Sequence, residues 1–486
     1  MNKQILTALF CAFFLGHSLK SQTLLTLKQA LEQSTLNSPI AKQIISTYES
    51  NKWLYKAALG NRAPQIRLNA DLPGYQRRIN QVVQPDGSFQ FIPVRQAFSN
   101  AGLSLTQAIP FTGGSLSLES RVNRGDFFDN GNSTFYQTNP LQINLFQPLF
   151  RFNSQKFNWK QDKLRLELAT RQQIEQIEAL NAEVISRYFD LYIGQLQLKN
   201  AELNETINDT IYRIAKGRFG VGKIAESELL QVELSYTNAR NSVEQQKLQV
   251  ELARRQLERY TGKLENSIVL LPPLDLPKND PDPDKARQET LNNRSDLIAN
   301  EININQASRQ LSEAKLARMP QTDITLSYGL NQTGITLDQA LTAPVNSQYA
   351  GLGFSIPIMG FGSNRSAHKA AQYAYEATLQ SMEASRQQLE TDAFGLALQV
   401  KQLKTSVDIS SKADTIAKKR YEVARNRYKI GTMEITNLLI AQNEKDQAII
   451  SYVSTLRDFW VTYYQLRRTT LFDFEKNASL LTKKDI

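Results

Sequence analysis

The sequence predicts an α+β chain built from an internal duplication, with amphipathic strands standing between long coiled-coil helices. Three observations carry this. First, Arg218-Phe219-Gly220-Val221-Gly222 recurs as Arg427-Tyr428-Lys429-Ile430-Gly431, each time at a glycine turn between two helical stretches. The match extends to Tyr212 and Tyr421, Ala215 and Ala424, Leu229-Leu230 and Leu438-Leu439, and upstream to Pro148 and Pro357, all about 209 positions apart. Second, there is no proline between Asn153 and Gly262, nor from Gly362 to the C-terminus, and apolar residues recur there at alternating spacings of three and four. That is coiled-coil patterning. Third, short segments upstream of each long helix alternate apolar and polar residues with the period of a strand.

The elements follow in order. Asn2-Lys3, an apolar run from Ile5 to Leu15 and small or polar residues from Gly16 to Gln22 read as a secretory leader over 1–22. Cys11 lies inside that run, which argues against a lipid anchor, and beyond the leader there is no cysteine and only His368. Disulfide frameworks, thiol nucleophiles, Cys/His zinc sites and serine-histidine hydrolysis are thereby excluded. The first repeat, 23–262, opens with a helical pattern from Leu27 to about Asn61, ended by Pro64. Ile66, Leu68, Ala70 and Leu72 then alternate with Arg67, Asn69 and Asp71, and the same two-faced pattern returns around Leu103-Leu105 and Leu141-Ile143-Leu145. From Phe152 a long helix of about 67 residues, roughly 100 Å, runs to a turn at 219–223 and is followed by another helix.

A stretch rich in Pro and Asp, 263–283, links the halves. The second repeat, 284–470, has a helix from Asp284 to Ala317, strands within 321–357 marked by Ile324-Leu326-Tyr328 and Leu352-Phe354-Ile356, a long helix, a turn at 428–432 and a last helix; 471–486 is a tail. Each half is expected to contribute one long helix and two short ones stacked end to end. Ala30, Asn37 and Pro64-Gln65 match Ala286, Asn293 and Pro320-Gln321 at about 256 positions, so about 47 residues are inserted in the first strand region. The insert, about 75–122, contains a hairpin with strands near Ala101–Ile109 and Ser115–Val122, joined by Pro110-Phe111-Thr112-Gly113-Gly114 between long polar loops. The short Pro110 turn is placed on the periplasmic side.

The net charge of +10 comes from 57 basic and 47 acidic residues that run side by side, without a basic block or an RNA-binding aromatic motif, so nucleic acid is not an expected partner. Past the leader no stretch of about 18 apolar residues offers a spanning helix, but an exported chain can still span a membrane as a closed β-barrel.

Taken together, Leu27-Lys28-Gln29-Ala30-Leu31 with Asn37-Ser38-Pro39, Gln147-Pro148-Leu149-Phe150, Asn293-Arg294-Ser295-Asp296-Leu297 and both glycine turns resemble the TolC family of outer-membrane efflux channels over nearly the whole chain beyond the leader. The resemblance implies an outer-membrane β-barrel joined to a long periplasmic α-helical coiled-coil barrel, closed by trimerisation. It implies four strands per chain, or six if the inserted hairpin joins. It also implies a duct that meets a periplasmic adaptor and an inner-membrane transporter, with no cofactor and no metal. An open sheet cannot enter a bilayer with unpaired edges, which by itself demands assembly.

By the same resemblance the turns are adaptor-docking tips, with Arg218, Phe219, Val221 and Gly222 on the first and Arg427, Ile430 and Gly431 on the second. Glycine there also has a structural reason, since a tight turn between helices favours positive φ. At the channel constriction the chain departs from its relatives. Where they carry two aspartates on the second tip it has Asn437 and Ile440, while Glu228 matches the acidic position in the first repeat. Tyr428 matches a tyrosine that helps hold the closed state, and Met433 stands where an arginine is expected. A gate held by apolar packing, with weaker cation selectivity, is the expectation. Two other functions stay open: the same duct serving type I protein secretion, and a non-conducting coiled-coil envelope protein. Glu226 and Glu228, two positions apart on a helix, point to different sides and make no acid/base pair, so an enzyme is not expected.

Overall fold

A computed structural model describes residues 23–129, 132–262, 268–273, 275–430, 432–433 and 435–481, except for the side chains of Thr23, Val82, Tyr428, Lys429 and Ile435. The expected leader 1–22, part of the linker, Gly431 and the side chain of Tyr428 lie outside the described residues.

In chain order the first half runs β1 (Thr23–Thr26), α1 (Leu27–Asn37), α2 (Pro39–Gly60), β2 (Gln65–Val83), β3 (Phe89–Ile109), β4 (Gly114–Phe127), β5 (Ser133–Leu149), α3 (Ser154–Gly220) and α4 (Glu226–Thr261). The second half runs β6 (Ile268–Leu271), α5 (Pro283–Asn293), α6 (Ser295–Leu316), β7 (Gln321–Gly334), α7 (Leu337–Leu341), β8 (Val345–Ser355), α8 (Ser363–Lys429) and α9 (Ile435–Thr470), then β9 (Phe472–Asp473) and β10 (Ala478–Ser479).

The duplication is visible in the element lengths. α3 and α8 have 67 residues each, α4 and α9 have 36, α1 and α5 have 11, and α2 and α6 have 22. Even the backbone that ends the last helix of each half agrees, with positive φ at Gly262 (87°) and at Leu471 (48°).

The helix expected over Leu27–Asn61 is in fact two, and so is that over Asp284–Ala317. Ser38, held extended by the following Pro39, separates α1 from α2, because the proline ring disfavours helical geometry in the residue before it. In the second half Arg294 has the same extended backbone without a proline. There Glu175 supplies the reason: its carboxylate accepts from the Ser295 backbone N–H at 2.9 Å and from the Ser295 hydroxyl at 2.8 Å, capping the start of α6.

The chain forms two compact units, each drawing on both halves. One comprises the residues as far as Tyr48, Thr170–Ser295 and the chain from Arg386 onward. Its core gathers Leu180, Val184, Ile185, Tyr188 and Phe189 of α3 with Leu456, Phe459, Tyr463 and Leu466 of α9 and Leu257 of α4. β1 and β6 pair in parallel beside it. The buried Tyr188 hydroxyl ties the two strands together: it lies 2.7 Å from the Leu25 carbonyl and 2.6 Å from that of Leu271, and accepts from the Leu271 N–H at 3.0 Å. The segment expected as a tail is in part core, since Leu471, Phe472 and Phe474 are buried and Asp473 pairs with Arg467 at 3.1 Å. Arg467 also bonds the buried Glu178 carboxylate at 3.0 and 3.2 Å.

The other unit, Glu49–Ala169 with Asp296–Ser385, holds one antiparallel sheet of six strands in the order β2-β3-β4-β5-β7-β8. The long polar loops expected beside the inserted hairpin are mostly strand. β2 continues to Val83 and β3 begins at Phe89, so the two pair with each other beyond the point where β4 ends. A register shift between Asp71 and Gly74 interrupts the apolar alternation there and hides the continuation from a period-two pattern.

Candidate functional site

Two surfaces are candidates, one in each unit. The sheet has two chemically opposite faces. Directly paired residues share a face, and one rung across all six strands reads Ile66, Leu105, Leu118, Ile143, Tyr328 and Gln348. The next rung, on the opposite face, reads Arg67, Ser104, Glu119, Gln142, Gly329 and Ser347. The apolar residues are not covered by the rest of the chain: Ile66, Leu68, Leu103, Leu116, Leu118, Ile143, Leu326 and Leu352 are all exposed. So large a contiguous apolar surface marks a membrane or protein contact. The polar face is knit by side-chain bonds such as Gln142 to Ser327 at 2.8 Å and Asn144 to Ser117 at 3.3 Å. Further along that face, beyond the register shift in β5, Phe98, Phe127 and Phe135 form an aromatic cluster with centroids 5.8 to 6.5 Å apart, and the Phe135 ring lies over Gly125, where a side chain would collide with it.

The other surface is the pair of turns that end α3 and α8. At the first turn the Lys223 N–H donates to the Arg218 carbonyl at 2.9 Å and the Gly222 N–H to the Phe219 carbonyl at 2.8 Å, with Gly222 at φ 71°. These two bonds and the left-handed residue make a Schellman C-cap. At the second turn the Thr432 N–H donates to the Arg427 carbonyl at 3.0 Å, the equivalent long bond. Val221 is 69% exposed and Ile430 74%, while Phe219, Arg218 and Arg427 are also exposed. Val221 and Ile430 are thus left largely uncovered by the described residues of their own chain.

Behind each turn the helices are stapled at equivalent positions by different chemistry. Tyr212 stacks on Tyr236 with centroids 5.8 Å apart in the first, whereas in the second the Lys445 ammonium sits 4.6 Å over the Tyr421 ring. The repeat offset matches Tyr212 with Tyr421 and Tyr236 with Lys445, but the contact across each turn shows only in the structure. Met433 packs with Tyr421 against Ala424, Leu438 and Ala441. Ile440, Asn437 and Glu228 stay exposed, so a single chain does not gather the expected constriction residues. Glu228 lies in the first turn of α4, where its charge favours the helix dipole.

Along α8 a further apolar line is exposed at seven-residue spacing, Ile409, Ile416 and Val423, and leads toward Ile430 in the turn just past the helix, while α4 exposes Leu230, Leu234, Leu248 and Leu252. A heptad seam without a partner inside the chain is the mark of helices that pack against another chain. Among the described residues no cluster of His, Cys, Asp or Glu fits a metal ion, and no helix is long and apolar enough to cross a membrane.

Residues 92–263 and 286–470, one block in each half, match the outer membrane efflux protein family. The chain belongs to that family. Solved structures of similar fold include the CmeC outer membrane channel of Campylobacter jejuni, 14% identical with a TM-score of 0.65, over 93% of this chain and 88% of that one. The outer-membrane channel OprN is 18% identical with a TM-score of 0.65, over 92% and 90% of the two chains. The open-state MtrE outer membrane channel of Neisseria gonorrhoeae is 15% identical with a TM-score of 0.59, over 91% and 88%. No curated protein matches the chain. As an outer membrane efflux protein, the chain is an internally duplicated α+β member of a family of efflux channels.

Proposed function

We propose that this efflux protein is the passive exit duct of a tripartite system: a homotrimer in the outer membrane with a long periplasmic extension. It accepts small toxic compounds from an inner-membrane transporter through a periplasmic adaptor. The observation that carries the proposal is the pairing of an uncovered apolar sheet face with uncovered heptad seams on α8 and α4. One surface asks for lipid and the other for further copies of the chain. The exposed Val221 and Ile430 at the two turns, flanked in sequence by the exposed Arg218 at the first and Arg425 and Arg427 at the second, support a docking role toward adaptor helices.

The test is photo-cross-linking in cells from probes at Val221 and Ile430. Adducts with a periplasmic adaptor support the docking role, and probes that capture only other copies of the chain overturn it. At the constriction the proposed gate rests on Met433 and Ile440 in place of charged partners, with Tyr428 and Glu228 assigned to it by the family resemblance. Planar-bilayer recordings are expected to show weak cation preference that Asn437→Asp strengthens; strong cation preference in the unaltered protein would count against this gate. A type I secretion duct uses the same surfaces and is separated by what a deletion strain loses, tolerance to small compounds or secreted proteins.

A further inference from the structure

We propose that all six strands of each chain enter the membrane barrel, so that the efflux trimer closes eighteen strands and the inserted hairpin widens its mouth. The proposal rests on the outer-membrane reading above and adds what the barrel is made of.

By the two repeat offsets, β2 corresponds to β7 and the end of β5 to the end of β8, which leaves β3 and β4 as the added strands. They sit in the middle of the sheet, not on an edge. β3 pairs with β2 from Gln65–Thr106 onward and with β4 from Gln96 to Ile109, while β4 pairs with β5. As the sheet stands, β2 pairs with nothing but β3, and one side of β5 with nothing but β4, so the added strands carry β2 into the sheet. Their alternation agrees with the other four strands: Leu105 and Leu118 continue the apolar rung, and Ser104 and Glu119 the polar one.

The hairpin is also fixed at its base. The turn that joins β3 to β4 lies against the start of α3, where the Asn153 side chain donates to the Pro110 carbonyl at 2.7 Å and the Gln147 side chain to that of Thr112 at 3.3 Å. Gln107 donates to the Arg62 carbonyl at 3.0 Å just after α2. A hairpin tied there runs alongside the other strands and does not fold over the far end of the sheet.

What remains unpaired is one edge of β2 and one of β8. These two strands are antiparallel, because the order alternates direction across six members. The β8 edge of one copy therefore meets the β2 edge of the next in antiparallel pairing, and the ring closes with no edge exposed to lipid. Barrel diameter grows roughly linearly with strand number, so eighteen strands give an opening about half as wide again as twelve, in the range where an aqueous channel remains. The outer mouth is then not the narrowest point of the duct.

The full-length protein in vesicles tests this with a fluorescent thiol probe on single introduced cysteines, since the sequence has none of its own beyond the leader. Probes at Leu105 and Leu118 are expected to be quenched several-fold by nitroxide lipids, as much as probes at Ile143 and Leu326 of β5 and β7. Probes at Ser104 and Glu119 are expected to respond only to an aqueous quencher. Loss of lipid quenching at Leu105 and Leu118 with quenching kept at Ile143 and Leu326 would overturn the wider barrel and leave four strands per copy. Loss at all four would instead overturn the outer-membrane reading itself.

Discussion

Substituting Gly222 isolates one backbone conformation at a proposed docking tip. Gly222 has φ 71°, and a Cβ placed there meets no atom within 4 Å. Alanine therefore introduces no clash, and the cost is the left-handed backbone alone, about 1–2 kcal/mol for an L-residue. Asparagine tolerates this region better and is expected to cost less, and a β-branched valine more. The strain falls on a turn that opens locally, so it is read most directly by hydrogen exchange at the amides of Gly222 and Lys223, which donate to Phe219 and Arg218. A penalty of 1–2 kcal/mol corresponds to exchange about 5- to 30-fold faster in Gly222→Ala, with a smaller increase in Gly222→Asn. Peptides from the core helices should not change. If Gly222→Ala leaves exchange at the tip unaltered while its fold is intact, the Schellman cap does not hold this turn, and the shape offered to an adaptor has another origin.

Other outcomes follow from the buried network. Arg467→Met leaves the Glu178 and Asp473 carboxylates buried beside each other and should cost about 3–5 kcal/mol in the stability of the purified protein, with part of the loss recovered at acidic pH where the carboxylates protonate. Burial holds the Glu178 carboxyl above its ordinary range against the pull of Arg467, so folding favours its protonated form. The stability this contributes is full below the unfolded carboxyl's pKa of about 4.3 and declines as pH rises through the higher folded value, and Glu178→Gln should flatten that slope in denaturation profiles. Tyr188→Phe removes the hydroxyl that joins β1 to β6 and should destabilise by about 1–3 kcal/mol, measured by thermal unfolding against the parent chain. Gly125→Leu should disrupt the outer part of the sheet, because the Phe135 ring occupies the space a side chain needs; a variant as stable as the parent would show that this ring moves aside freely.

The duplication was legible because it repeats rare residues, Gly222 and Pro148 among them, at constant offsets, and the two-faced strands because Leu103, Leu105, Leu116 and Leu118 alternate cleanly. The helix breaks were not, although Pro39 follows Ser38 at the first, because the apolar stripe continues across the break and the second break depends on Glu175, more than a hundred residues away. β1 and β6 are four residues each, too short to show a period, and they pair across more than two hundred positions. The Phe472-Asp473-Phe474 segment looked like tail because its partners, Arg467 and Lys285, are ordinary surface residues by composition. At the tips the sequence located the turns, but it did not reveal that Met433 packs inward with Tyr421 while Ile440 stays 44% exposed, since that choice is made by neighbouring helices.

The most direct test of the central claim is a deletion strain compared with its parent and with a complemented strain, scored together for tolerance to dyes, detergents, antibiotics and metals and for proteins in the medium. A passive duct for small compounds predicts sensitisation restored by the gene, with an unchanged set of secreted proteins. Unchanged tolerance with the loss of one or a few secreted proteins would contradict it and assign the duct to protein export.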